Sequence, residues 1–311
     1  ILAAFFFFFI FVINRKMGIE GGYWLWSAIL RHLFIFLFFF IYLGFKNQIK
    51  DVIKEIKTDV FQWILWSNIG FVVFYTFICF SSQFGPSWLI ACLWQMTILA
   101  GILLTPFTSN SKKIPLKQVI FAVIIFIGVV LVQFSGEKQI SLRDVLLTML
   151  PMIIATTAYP LGNRKMLQVC GDHLSTGQRI FGMVLCTMPA WILLSIYAYI
   201  KRGVPSGAQL EGSLIIAIFA GIIATTLFFK ATKLAGGDHK KLAAVESTQA
   251  AELIFALVGE NLLIKGSLPT FVSIRSIVII ISGILILNFK IKKNSDFTFR
   301  AKYVKINVNF F

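Results

Sequence analysis

The chain has 311 residues, 58% hydrophobic and only 14% charged, with 33 Phe and a formal net charge of +16. Soluble domains carry about a quarter charged residues, so this composition excludes a soluble fold, whose core the few polar side chains could not cover. The lysines gather in short gaps between apolar runs, so the positive balance speaks of orientation in a bilayer and not of nucleic acid.

Ten apolar segments follow in chain order, at residues 1–17, 24–45, 61–82, 87–107, 115–134, 143–162, 177–200, 212–233, 243–262 and 269–289. Most reach the roughly 20 residues that a spanning helix needs. The first is shorter and lacks the basic start of a signal peptide. By register with the second half it reads as a helix missing its first turns. Between the second and third segments, Ile49, Val52, Ile53, Ile56 and Val60 recur at helical spacing among lysines, which predicts a short amphipathic helix on the cytoplasmic surface. The tail at 290–311 is basic, has no apolar stripe and is expected to be poorly ordered.

An internal repeat organises these segments. Asn14-Arg15-Lys16-Met17 recurs as Asn163-Arg164-Lys165-Met166, and each copy is followed by an arginine inside the next segment, Arg31 or Arg179. Gly70 and Gln95 stand 25 residues apart, as do Gly221 and Glu246. The expected architecture is therefore all-α and polytopic, with ten transmembrane helices in two five-helix repeats, 1–136 and 137–289, followed by the tail 290–311. Five is odd, so the second repeat enters the bilayer in the opposite sense and the two are inverted. Eighteen Lys and Arg fall in the tail and in loops on the N-terminal side, against seven on the other. The positive-inside rule then puts both termini in the cytoplasm.

Ionisable groups inside spans cost about 2.5–3.5 kcal/mol each at a helix centre on insertion scales and call for a role. Arg31 lies two turns into the second segment and Arg179 at the matching place in the seventh. Either they line a cavity or they tie helix ends to neighbouring carbonyls. Glu246 and Glu252 bracket the most polar stretch of any segment, with Gln249 three residues from each. A carboxylate in low dielectric holds its proton more readily, which makes these two the proton-coupling candidates, unless an internal Lys or Arg such as Lys230 or Arg179 neutralises them. Gln95 is the repeat mate of Glu246. Arg31, Gln95, Arg179, Glu246, Gln249 and Glu252 form the expected substrate site. Asn14 and Asn163 read as C-terminal caps of their helices, and Arg15 and Arg164 as headgroup-level side chains. Tyr23, Trp24 and Trp26 read as an interfacial belt. Pro106, Pro151, Pro160 and Pro189 are positions where helices can kink. Cys79, Cys92, Cys170 and Cys186 show no metal-ligand spacing and read as small hydrophobes. No catalytic residue, metal or cofactor is expected.

The stretches Phe11-Val-Ile-Asn-Arg-Lys-Met17, Trp24-Leu-Trp-Ser-Ala-Ile-Leu-Arg31 and Ala244-Val-Glu-Ser-Thr-Gln-Ala-Ala-Glu252 resemble the drug/metabolite transporter superfamily, and within it the putative multidrug resistance efflux transporter family. The resemblance covers roughly residues 1–289. It implies a secondary carrier in a bacterial plasma membrane that exports small organic molecules by alternating access, with the substrate path between the halves. The related small multidrug resistance proteins carry a proton-binding glutamate in their first helix, whereas no acidic residue precedes Glu20 here. The expected partners are the lipid bilayer and a small-molecule substrate, with a homodimer left open. An integral membrane enzyme acting on lipid or prenyl substrates is the alternative. It would need an acid pair, a metal or a histidine cluster, whereas His32, His173 and His239 are scattered.

Overall fold

The computed structural model describes residues 1–108, 142–171, 173–235 and 248–264, together with positions 241, 245, 275, 278 and 282. The expected fifth span, most of the tenth, Glu246 and the tail lie outside these residues.

The described elements are helical throughout: α1 (Leu2–Ile19), α2 (Trp24–Phe45), α3 (Ile49–Thr58), α4 (Val60–Ser81), α5 (Ser87–Trp94), α6 (Met96–Leu103), α7 (Leu142–Cys170), α8 (Thr176–Arg202), α9 (Gly207–Leu234) and α10 (Ala251–Leu263). Six of them, α1, α2, α4, α7, α8 and α9, are long and apolar enough to cross a membrane. Large apolar side chains such as Phe61, Leu193 and Ile200 stand exposed, as they would toward lipid. The chain is a multi-pass membrane protein.

Helix ends correct two readings of the sequence. α1 runs through Asn14 to Ile19 and stops before Gly21, whose φ of 82° no side-chain-bearing residue adopts readily. α7 runs through Asn163 to Cys170 and stops at Gly171, with φ 52°. The two asparagines therefore cap nothing. Both sit inside helices, because a polar residue interrupts an apolar run without interrupting backbone hydrogen bonding. At the start of α8, Ser175 and Gln178 form a reciprocal capping box.

The fourth segment is interrupted at Gln95. There the backbone bonds shorten to Gln95 N–H with Cys92 O and Ile98 N–H with Gln95 O, while the Gln95 and Thr97 side chains donate to Ala91 O and Trp94 O. Side chains that occupy helix carbonyls compete with the ladder, and α5 and α6 meet at this joint. α4 and α9 each contain a π-helical stretch, at Asn68–Val73 and Ala217–Ala224.

α1 is central, packed against α9, α10 and α5, and less closely against α2. α7 packs against α4, α5 and α6, and α2 lies along α8. Gly70 in α4 and Gly162 in α7 let two backbones touch: a Cβ on Gly162 would lie 2.5 Å from the Gly70 Cα. α3 is amphipathic as expected, with Val52 buried and Lys50, Lys54 and Lys57 exposed.

Candidate functional site

A narrow, mostly enclosed cleft lies inside the bundle. Its apolar lining is rich in rings: Phe7 and Phe11 from α1, Phe71 and Phe74 from α4, Trp94 from α5 and Tyr159 from α7. Its polar lining is Arg31, His32, Thr225, Gln249 and Glu252.

Arg31 is 4% exposed. Its guanidinium carbon lies 4.1 Å from the centroid of the Tyr75 ring, and Nη1 is 3.3 Å from His32 Nε2. Because a guanidinium only donates, Nε2 accepts, and His32 Nδ1 carries the proton that it shares with Ala28 O at 2.9 Å. The neutral imidazole stacks on Trp191 with centroids 4.4 Å apart. Asn14 donates to the Tyr75 hydroxyl at 3.0 Å. The Arg31 charge is thus held by neutral groups, a ring face and an imidazole, worth about 0.5–2 kcal/mol for the cation–π contact. Its Nε has no hydrogen-bond partner among the described residues.

Glu252, 1% exposed at the start of α10, has no hydrogen bond to either carboxylate oxygen. The Trp94 indole N–H is directed at it without reaching hydrogen-bond geometry. Gln249, in the 3₁₀ turn Thr248–Ala250 just before α10, is also buried, and its Oε1 is unpartnered. No ion pair joins Arg31, Arg179 or Lys230 to Glu252 among the described residues, and Lys230 is exposed.

Gln249 and Tyr159 also line a second narrow cleft, together with Thr97, Asn163, Arg164 and Thr232. Arg164 therefore faces the interior of the bundle. It is 8% exposed and donates to Gly101 O at 2.6 Å, because α7 continues past the Asn-Arg pair and carries it into the bundle. Arg15 is half-buried and ties α1 to the loop after α4 through the carbonyls of Ser82 and Gln83.

Of the expected site residues, Arg31, Gln249 and Glu252 share the main cleft. Gln95 is buried at the α5–α6 joint and does not line it. Arg179 is buried with its guanidinium carbon 4.2 Å from the Phe229 centroid, also away from both clefts. Glu246 lies outside the described residues. Sequence reasoning passed over His32, dismissed as scattered although it is the neighbour of Arg31. It also passed over Glu260, which is 4% exposed and accepts from Trp88 N–H at 3.0 Å at the start of α5. A helix opening at Pro86-Ser87 leaves amide donors in need of an acceptor, and that was the available signal. No group of His, Cys, Asp and Glu that could hold a metal occurs among the described residues, and all four cysteines are free and buried.

Residues 1–293 match the family described as EmrE: Putative multidrug resistance efflux transporter. The chain is 42% identical over 300 residues to "Uncharacterized protein YjlA" of Bacillus subtilis (strain 168), covering 93% of each. It is 39% identical over 260 residues to an "Uncharacterized 42.1 kDa protein in intracellular alkaline protease 3'region" of Shouchella clausii, covering 81% of this chain and 68% of that one.

Proposed function

The chain belongs to the EmrE family of putative multidrug resistance efflux transporters, and from that premise we propose that it is a secondary carrier exporting small organic molecules from a bacterial cell by alternating access. The observation that carries this reading is the ring-lined cleft. It is buried among helices from both ends of the sequence and presents Arg31, Gln249 and Glu252 with unsatisfied hydrogen-bonding atoms. Polar groups are costly at this depth unless they serve a passing ligand or each other.

The two-repeat architecture is part of the proposal. Exchanging the halves carries α1 against α9 and α10 onto α7 against α4, α5 and α6, and carries the α2–α8 pair onto itself. The π-helical stretches contain Gly70 and Gly221, which are repeat mates. Both features support inverted repeats 1–136 and 137–289, a plan in which substrate sites lie at the repeat interface. The lysine distribution supports cytoplasmic termini.

Coupling to protons through Glu252, with Glu246 as its companion, completes the reading: the acid alternates between a protonated and a substrate-engaged state. The test is transport into proteoliposomes under an imposed pH gradient. Glu252→Gln or Glu246→Gln should abolish gradient-driven flux while leaving binding measurable without a gradient. Full pH-driven flux in both variants would remove proton coupling, and absence of any flux from the wild-type protein across cationic, zwitterionic and anionic probes would remove the carrier reading.

A further inference from the structure

Among the described residues, the cleft holds one cation and one carboxylate that do not neutralise each other, and we infer that its substrate is a small zwitterion with an apolar, ring-bearing body, its acidic group on Arg31 and its ammonium on Glu252 and Gln249. This rests on the carrier reading above and narrows it to a charge class.

Arg31 comes from α2 and Glu252 from α10, and α1 packs against both helices. Buried charges are ordinarily paired, yet no ion pair joins these two. Among the described residues, the partners of Arg31 are the Tyr75 face and the His32 imidazole, both neutral, and its Nε has no hydrogen bond. Among the described residues no donor bonds either Glu252 oxygen, and none bonds Gln249 Oε1 three residues earlier. The wall therefore presents a planar donor at one place and three acceptor atoms at another.

A lipophilic cation would satisfy Glu252 but bring a second positive charge into the low-dielectric space that Arg31 shares. An organic anion meets the mirror problem at Glu252. Like charges without a counter-ion are strongly disfavoured there. A zwitterion satisfies both groups and leaves the filled cleft neutral. Phe7, Phe11, Phe74 and Trp94 suit a ring-bearing body, which they contact edge-to-face or offset.

Three probes of nearly one shape test the charge class: L-phenylalanine, 2-phenylethylamine and 3-phenylpropanoate. Each is titrated by tryptophan fluorescence into the full chain in lipid nanodiscs and offered for counterflow in proteoliposomes. The expected result is phenylalanine binding about ten-fold or more tighter than either singly charged probe. Arg31→Gln should cancel its advantage over phenylethylamine, and Glu252→Gln its advantage over phenylpropanoate. The wild-type ranking decides even if a variant fails to fold. Equal or tighter binding of either singly charged probe overturns the inference, as does failure of all three to bind. Tetraphenylphosphonium flux, measured alongside, separates the two levels. Its transport without phenylalanine binding removes the zwitterion and keeps the carrier, whereas no flux of any of the four probes counts against both.

Discussion

The Asn14 side-chain amide donates to the Tyr75 hydroxyl at 3.0 Å, and the face of that ring carries the Arg31 guanidinium at 4.1 Å. Three helices meet in this chain of contacts: α1 fixes a ring of α4, and the ring supports a charge of α2. The ring face and the hydroxyl have separable roles. Tyr75→Phe keeps the face and should retain ligand binding, at a stability cost of about 1–3 kcal/mol for the orphaned Asn14 amide. Tyr75→Leu removes the face as well and should weaken binding further. Thermal unfolding in detergent and ligand titration read the two effects apart, and identical binding loss in both variants would show that the ring face carries nothing.

The backbone contact between α4 and α7 should be intolerant of side chains. Gly162→Val places atoms into Gly70 and the Trp66 carbonyl and should destabilise by about 1–3 kcal/mol through overpacking. Gly207→Ala, where nothing stands within 4 Å of a new Cβ, is the neutral comparison. Equal melting temperatures for the two variants would contradict the close approach.

Glu260 holds the start of α5 from across the bundle. Glu260→Gln keeps an oxygen for Trp88 N–H, whereas Glu260→Leu leaves a buried amide unpaired. The leucine variant should be the less stable by about 1–3 kcal/mol, read by thermal unfolding. The reverse order would mean that burying a polar group at this position costs more than its hydrogen bond to Trp88 returns.

Inverted repeats put the two Asn-Arg-Lys-Met copies on opposite faces of the membrane. Lys16 within the first copy and Gln168 just after the second are exposed, and the four native cysteines are buried, so background labelling is low. In intact cells a membrane-impermeant maleimide should label Lys16→Cys from outside, and Gln168→Cys only after permeabilisation. Labelling of both from the same side would rule out the inverted arrangement.

The spans were legible because apolarity and length alone define a membrane-crossing helix: α2, α4, α8 and α9 start and stop within a few residues of the apolar segments. The depth of Arg31 and the polarity around Glu252 were legible for the same reason, since each stands out against an apolar background. Helix ends near Asn14 and Asn163 were misjudged because hydrophobicity reports burial, while glycine conformation at Gly21 and Gly171 decides where the helix stops. That Arg179 stands off the cleft while its repeat mate Arg31 lines it depends on which way each helix faces its neighbours, and repeat register says nothing about that. The Arg31–His32–Trp191 stack joins residues 159 positions apart in sequence between His32 and Trp191, a relation that spacing cannot reveal.

The widened turns in α4 and α9 change what a length mutation would do. A π-helical stretch takes up about one residue more than the α-helix around it, so the residues beyond it stand about 100° back, one residue's worth of helical rotation, from where an unbroken α-helix would put them. In α9 that portion carries Thr225 to the main cleft and Phe228 to the second. Deleting a single residue between Ala217 and Ala224 would let the stretch relax to ordinary α-helix and leave that face aimed as it is, whereas straightening the stretch at full length would turn the face away. The angular phase of the wall is thus set by a local excess of backbone, separately from the sequence of side chains that the wall displays.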